Sequence, residues 1–192
     1  MHSIIYITGL GDAQATGQRL AIKTWRLWGV RPVMFQVNWA DGEPFAPKFE
    51  RLLKLIDDAA LKGKVSLVGA SAGATAVVNA FAVRSSVLHG AVCIAGKINN
   101  PGAISRSYKQ ANPAFAESAA ATALSLVKIR LEDRWRILSI RAMLDLIVSA
   151  RDSNLVGAQN RVSWTSGHVF TIAWQITVGA PSFIRWLKQI DK

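Results

Sequence analysis

The sequence predicts an α/β protein in which a parallel sheet of six strands lies between two layers of helices. Six short apolar runs of strand length recur along the chain, with helical segments between them. These runs are continuously apolar rather than alternating, as expected for a parallel sheet covered on both faces. At 192 residues and without a break in composition, the chain is predicted to form a single domain with a sizeable core.

The predicted strands are short segments rich in Ile, Val, Leu and aromatic residues. They are Ile4–Thr8, Pro32–Val37, Val65–Gly69, Gly90–Ala95, Trp135–Arg141 and Arg161–Trp164. Because parallel strands need crossover connections, helices are expected between them. The sites of such sheets form beyond the carboxyl ends of the strands, which is where functional residues should be sought.

The predicted helices follow from apolar periodicity and from residues that favour helix ends. Asp12 is a plausible N-cap for the first helix, and Gly29 and Gly63 end the first and second helices. The helices are predicted over Ala13–Gly29, Pro47–Leu61, Ala72–Val83, Val169–Val178 and Ser182–Gln189.

The segment of about 35 residues at 97–134 is longer than one crossover needs. It contains a stretch of strong helix propensity from Pro113 to Ala121. Two interpretations are open: a crossover helix with a small cap or insertion near the site, or an ordinary long crossover.

Composition limits the possible classes of function. The net charge is +11 and the pI is about 10.4, but the basic residues do not cluster, so no specific nucleic-acid site is predicted. The sequence also has no zinc-ligand spacing, so no metal site is predicted. The single cysteine, Cys93, lies in an apolar strand, which excludes a disulfide framework. The chain has neither an apolar run of membrane-spanning length nor a signal-peptide pattern, so a soluble cytoplasmic protein is expected.

The most informative motif is the pentapeptide Gly69-Ala70-Ser71-Ala72-Gly73. This G-x-S-x-G pattern lies between a predicted strand and a predicted helix, where a sharp turn would expose the Ser71 hydroxyl above the sheet. The small flanking residues let the strand and helix backbones approach closely. The alternative is a tight turn with an incidental serine.

A nucleophilic serine needs a base, and the base needs an orienting acid. Of the three histidines, His2 and His89 precede strands, whereas His168 follows the sixth strand at the catalytic edge. His168 is therefore the predicted base, the alternative being a loop histidine bonded to backbone.

Asp145 follows the fifth strand and is the preferred acid, although it could instead be a helix N-cap. Asp152, seven residues further along, and Asp41, after the second strand, are the other candidates.

Two backbone N–H groups are predicted to stabilise charge on a substrate carbonyl oxygen. They belong to Ala72, at the start of the helix after Ser71, and to Leu10, in the glycine-rich loop after the first strand. That loop lacks the third glycine of a dinucleotide site and the Lys-Ser/Thr of a P-loop, so no cofactor is predicted. The predicted substrate pocket is lined by Leu10, Trp39, Val148 and Val169, with Phe170 as a further candidate.

The order of glycine-rich loop, G-x-S-x-G, aspartate and histidine resembles that of the α/β-hydrolase superfamily, in particular its compact members without leading antiparallel strands. The resemblance extends over nearly the whole chain. It implies the strand order 2-1-3-4-5-6 and a triad of Ser71, His168 and Asp145. Thr8-Gly9 stands where many members have His-Gly, and Ala70 stands where His or an aromatic residue is frequent.

The expected function is that of a serine hydrolase, carboxylesterase-like, acting on a small-molecule ester through an acyl-enzyme. A thioesterase, amidase or acyltransferase would use the same residues. A hydrolase-fold module that binds a partner without catalysis is the alternative from another class.

Overall fold

The computed structural model describes residues 1–190. Over this range the sheet has six strands, all parallel, in the order β2-β1-β3-β4-β5-β6, which confirms the predicted fold class and strand order. The strands are β1 Ser3–Ile7, β2 Arg31–Phe35, β3 Val65–Ala70, β4 Leu88–Ile94, β5 Ile137–Leu144 and β6 Gln159–Ser166.

Helices cover both faces of the sheet. They are α1 Thr16–Lys23, α2 Phe45–Ala60, α3 Gly73–Arg84, α4 Arg106–Ala111, α5 Pro113–Lys128, α6 Ala150–Ser153, α7 His168–Ile176 and α8 Ala180–Gln189. Alternate residues of β1 belong to two different cores. Ile5 and Ile7 pack into the core on the face of the sheet that α2, α3 and α5 cover. Ile4 and Tyr6 pack into the core on the face that α7 and α8 cover. Because the strands are buried on both faces, their sequences are continuously apolar.

Several predicted element boundaries are wrong. The first helix is not continuous from Ala13 to Gly29, because α1 lies between 3-10 turns at Asp12–Gln14 and Thr24–Trp28. Asp12 makes no helix-capping bond, since its carboxylate binds donors from elsewhere in the fold. Trp135 precedes β5 in a 3-10 turn, and β6 is longer than predicted at both ends.

The 97–134 segment contains α4 and α5. Helix α5 packs against α3 through buried polar contacts: Thr75 Oγ1 lies 2.7 Å from Ser118 Oγ, and Asn79 Nδ2 donates to the Ser118 carbonyl at 3.0 Å. Helix α4 is short and follows a loop at the carboxyl edge of the sheet. We therefore propose that α5 is the crossover helix, that α4 with its preceding loop is a small insertion, and that the chain is one domain.

In the part of the chain that the structure describes, no helix is both long and apolar enough to cross a membrane.

Candidate active site

Ser71 occupies a strained turn between β3 and α3. Its φ is +50°, a left-handed conformation that is uncommon for a residue with a side chain. The turn requires close backbone approach, because a Cβ at Gly73 would overlap the Ile7 carbonyl oxygen and one at Gly69 would lie 2.5 Å from the Gly73 oxygen. The glycines of the pentapeptide thus fit the geometry that exposes the Ser71 hydroxyl.

His168 is the first residue of α7, immediately after β6, and its ring is largely buried. Its Nε2 lies 2.9 Å from Ser71 Oγ. The preceding Gly167 adopts a positive φ of 95°, and its carbonyl accepts bonds from the N–H and hydroxyl of Thr171. These bonds fix the loop that carries the histidine towards the serine.

Asp145 lies just after β5 and contacts the other ring nitrogen of His168. Its Oδ2 is 2.8 Å from His168 Nδ1, while Oδ1 accepts the N–H groups of Ile147 at 2.8 Å and Val148 at 2.9 Å. Because an ionised carboxylate only accepts, Nδ1–H donates to it and Nε2 is left to accept from the Ser71 hydroxyl.

The other two candidate acids bind elsewhere. Asp152 forms an ion pair with Lys97, and Asp41 forms one with Lys48. Among residues 1–190, the carboxylate bonded to His168 is therefore that of Asp145.

The remaining histidines lie at the opposite edge of the sheet, as their positions before strands predict. His2 Nε2 is 2.9 Å from Ser66 Oγ, and its ring meets that of His89 edge-on at 5.3 Å. Burial lowers the pKa of His2 to about 4. Cys93 is buried inside β4, and this burial raises the pKa of its thiol to about 12, so the thiolate is not a competing nucleophile at neutral pH.

The N–H groups of Leu10 and Ala72 are both available near the serine. Within residues 1–190 neither donates a hydrogen bond to the protein, and both residues line the cavity that contains Ser71. The loop carrying Leu10 lies against the turn, since a Cβ at Gly9 would be 3.1 Å from Ser71 Cβ. Free donors beside the nucleophile suit an anionic oxygen.

A buried hydrogen-bond network holds this loop in place, and we call it the Asp12 network. Asp12 Oδ2 accepts the Thr8 hydroxyl at 2.8 Å and the Asn38 N–H at 2.7 Å, and Oδ1 accepts the Trp39 N–H at 3.4 Å. Trp39 Nε1 in turn donates to the Thr8 carbonyl at 3.0 Å. The network links the segment after β1 to the segment after β2, and the sequence prediction missed it.

The cavity at Ser71 has a volume of about 210 Å³. Its walls are mostly apolar, with a few polar groups from Lys97, Ser105 and Tyr108. The lining residues are Leu10, Ser71, Ala72, Lys97, Ala103, Ile104, Ser105, Tyr108, Phe115, Ile147 and Val148.

Leu10 and Val148 line this cavity as the sequence predicts, but Trp39 and Val169 do not. Trp39 is 1% exposed and packs in the core against Phe45 and Phe115. Val169 is 74% exposed, because it follows His168 on α7 by about 100° of helical rotation and so points to solvent rather than into the cavity. Phe170 is also outside the cavity, and its ring contacts Trp174.

Within the described chain, no cluster of three His, Cys, Asp or Glu side chains is arranged to hold a metal ion.

No protein-family profile and no curated protein matches this sequence. Solved structures do match its fold. One comes from the metagenome-derived lipolytic enzymes LipS and LipT, with a TM-score of 0.75 and 9% identity over 98% of this chain and 94% of the other. The metagenomic carboxyl esterase MGS0156 matches with a TM-score of 0.71 and 13% identity over 98% of this chain and 76% of its own.

A third similar structure is the thioesterase domain from the curacin biosynthetic pathway, with a TM-score of 0.65 and 10% identity over 95% of this chain and 90% of that domain. Such low identities establish the fold alone. Together with the strand order, they show that the chain has the α/β-hydrolase fold.

Proposed function

We propose that the protein is a serine hydrolase that cleaves carboxylic esters through an acyl-enzyme intermediate. The observation that carries the proposal is the hydrogen-bonded chain from Ser71 Oγ through His168 to Asp145, on a strained turn that opens into a cavity. A serine at positive φ destabilises the fold by about 1–3 kcal/mol, and such strained residues are concentrated at functional sites.

In the proposed first half-reaction, Ser71 Oγ attacks the ester carbonyl carbon while His168 Nε2 takes the hydroxyl proton. Asp145 keeps the imidazole in the tautomer that can accept this proton and stabilises the imidazolium that forms. The N–H groups of Leu10 and Ala72 bind the oxyanion. His168 then returns the proton to the departing alkoxide, which leaves as the alcohol.

In the second half-reaction, water attacks the acyl-serine while His168 takes its proton. Collapse of the tetrahedral intermediate releases the acid and restores the Ser71 hydroxyl. A thioester would follow the same steps with a thiol leaving group, and the fold shared with a thioesterase domain keeps that substrate class as a second candidate. Amidase and acyltransferase chemistry would differ only in the leaving group or in the acceptor.

Labelling with a fluorophosphonate probe tests the proposal. We expect the wild-type protein to be phosphonylated at Ser71, the Ser71→Ala variant to be unlabelled, and the His168→Ala variant to react much more slowly. Ser105→Ala is the matched control, because Ser105 lines the same cavity but its hydroxyl contacts Ser107 Oγ and the Tyr108 N–H instead of a histidine. A folded wild-type protein that resists labelling would favour the non-catalytic binding module.

Phe115 is predicted to limit the length of the acyl group. The cavity of about 210 Å³ is smaller than the roughly 300–1,000 Å³ of typical ligand pockets, and Phe115 closes part of its wall between Trp39 and Tyr108. Phe115→Ala should raise the ratio of kcat/KM for p-nitrophenyl octanoate over butyrate by roughly tenfold or more. The steady-state rates of both esters measure this ratio.

Phe49→Ala is the matched control for this experiment. Phe49 belongs to the same aromatic cluster through Phe45 but does not line the cavity. If both variants keep the wild-type chain-length profile, Phe115 does not set the depth of the pocket.

A further inference from the structure

Exposed apolar side chains lie beside the opening of the candidate site. They are at the end of β5, on the loop after it and on the first turn of α7, and we call them the apolar rim. Leu146 is 92% exposed and Ile147 66%, although side chains of this size are usually at least partly covered. The rim consists of Leu144, Leu146, Ile147, Val169 and Phe170.

The two segments of the rim are neighbours, and one of them reaches the cavity. The Gly167 N–H donates to the Leu144 carbonyl at 2.8 Å, and Asp145 binds His168, so the two rim segments are joined next to the serine. Ile147 belongs to both the rim and the cavity lining. A molecule that covers the rim therefore also lies over the entrance to Ser71.

Three cations lie on helices next to the same opening, and we call them the basic flank. Arg106 and Lys109 are on α4, beside Ser105 and Tyr108, which line the cavity. Arg151 is on α6, beside Asp152, which pairs with the cavity-lining Lys97. Their side chains are exposed, and within residues 1–190 none forms an ion pair. Asp152, beside Arg151, is already paired with Lys97, and the Asp145 carboxylate is bonded to His168. Within residues 1–190 no carboxylate is therefore paired with the basic flank.

We propose that the apolar rim and the basic flank bind an anionic lipid surface, from which an amphiphilic ester enters the site. An exposed apolar strip bordered by cations suits such an interface, because the apolar side chains enter the acyl boundary while the cations meet the anionic headgroups. A second copy of the chain fits less well, since it would bring two surfaces of a chain with net charge +11 together.

The substrate part of this proposal rests on the proposed esterase function. The small cavity takes a short acyl group, and the lipophilic alcohol part of the ester remains along the rim in contact with the lipid. The lipid-binding part does not depend on catalysis, so the two parts can fail separately.

Binding is tested with the Ser71→Ala protein, which cannot consume the ester. We expect it to sediment with vesicles of phosphatidylcholine and phosphatidylglycerol at 7:3, and much less with pure phosphatidylcholine or in high salt. Adding Leu146→Ser and Val169→Ser, which leave the cavity lining intact, should weaken binding by about tenfold or more. The control pair Leu61→Ser and Val83→Ser removes exposed apolar side chains at the opposite edge and should leave binding unchanged.

The contribution of the basic flank has its own matched pair. Arg106→Gln with Lys109→Gln should weaken binding to the anionic vesicles by roughly twenty-five-fold, since each cation near the surface contributes roughly fivefold. Lys62→Gln with Lys64→Gln, which removes exposed cations at the opposite edge, should have little effect. Equal losses from both pairs would mean that net charge alone drives binding and would overturn the proposed surface.

Turnover tests the substrate part with hexadecyl butyrate carried in vesicles and with p-nitrophenyl butyrate in solution. We expect the wild-type enzyme to hydrolyse the vesicle ester at least about tenfold faster in anionic than in neutral vesicles. The Leu146→Ser/Val169→Ser enzyme should lose this difference but retain its rate on the soluble ester. Three outcomes would each overturn the proposed lipid-binding surface. They are equal rates in the two vesicle types, failure of Ser71→Ala to sediment with anionic vesicles, and dimerisation in light scattering that depends on the rim. Absence of any ester hydrolysis with intact vesicle binding would instead refute the proposed function.

Discussion

Asp145→Asn should lower kcat for p-nitrophenyl butyrate by about four orders of magnitude, with little change in KM. The amide would present N–H to His168 Nδ1 and so favour the tautomer that carries a proton on Nε2, the atom that must accept from Ser71. The amide oxygen can still accept from the Ile147 and Val148 N–H groups, so the turn after β5 should survive. Steady-state kinetics, with circular dichroism to verify folding, measure the effect.

Asp152→Asn is the matched control, because Asp152 follows the same strand but pairs with Lys97 at the cavity wall. The amide oxygen of the Asp152→Asn variant would still accept from Lys97, and within residues 1–190 Asp152 bonds to neither Ser71 nor His168, so kcat should change by less than about tenfold. The opposite ranking of the two variants, with Asp152→Asn the inactive one, would show that the acid is assigned to the wrong residue.

The sequence could predict the positions of Ser71, His168 and Asp145 because topology alone brings them to one edge. Each follows a strand, and parallel strands present their carboxyl ends at the same side of a sheet. Small residues around Ser71 likewise indicated a close turn, and the reason is that a Cβ at Gly73 would overlap the backbone of Ile7 in β1. The order of the strands came only from the resemblance to a known superfamily.

What the sequence could not predict depends on the direction in which each side chain points. Trp39 and Val169 both lie near strand ends, yet Trp39 faces the core and Val169 faces solvent. The sequence also could not show that Arg106 and Arg151, which are far apart in the chain, both lie on helices next to the cavity. Asp12 was misassigned because an aspartate before a helix serves equally well as an N-cap or as an acceptor for distant donors.

Asp12→Ala should both destabilise the protein and slow catalysis. It removes the acceptor for the Thr8 hydroxyl and the Asn38 and Trp39 N–H groups, and each buried donor left unpaired costs about 1–3 kcal/mol. We therefore expect the free energy of unfolding in urea to fall by about 3 kcal/mol or more. Asp57→Ala is the control, because it breaks an exposed ion pair with Arg84 away from the site and should cost at most about 1 kcal/mol.

The catalytic effect of Asp12→Ala distinguishes a positioning role from a purely structural one. Thr8 and Asp12 enclose the segment that carries the Leu10 N–H, so loosening the Asp12 network should misplace one of the two proposed oxyanion donors. Loss of one such donor lowers kcat by about 10²–10³-fold while substrate binding is retained, because the oxyanion exists only after attack. Measured well below the unfolding temperature, kcat should therefore fall at nearly constant KM. If the folded variant keeps the wild-type kcat, the network contributes to stability alone, and the departure from His-Gly at Thr8-Gly9 has no consequence for the chemistry.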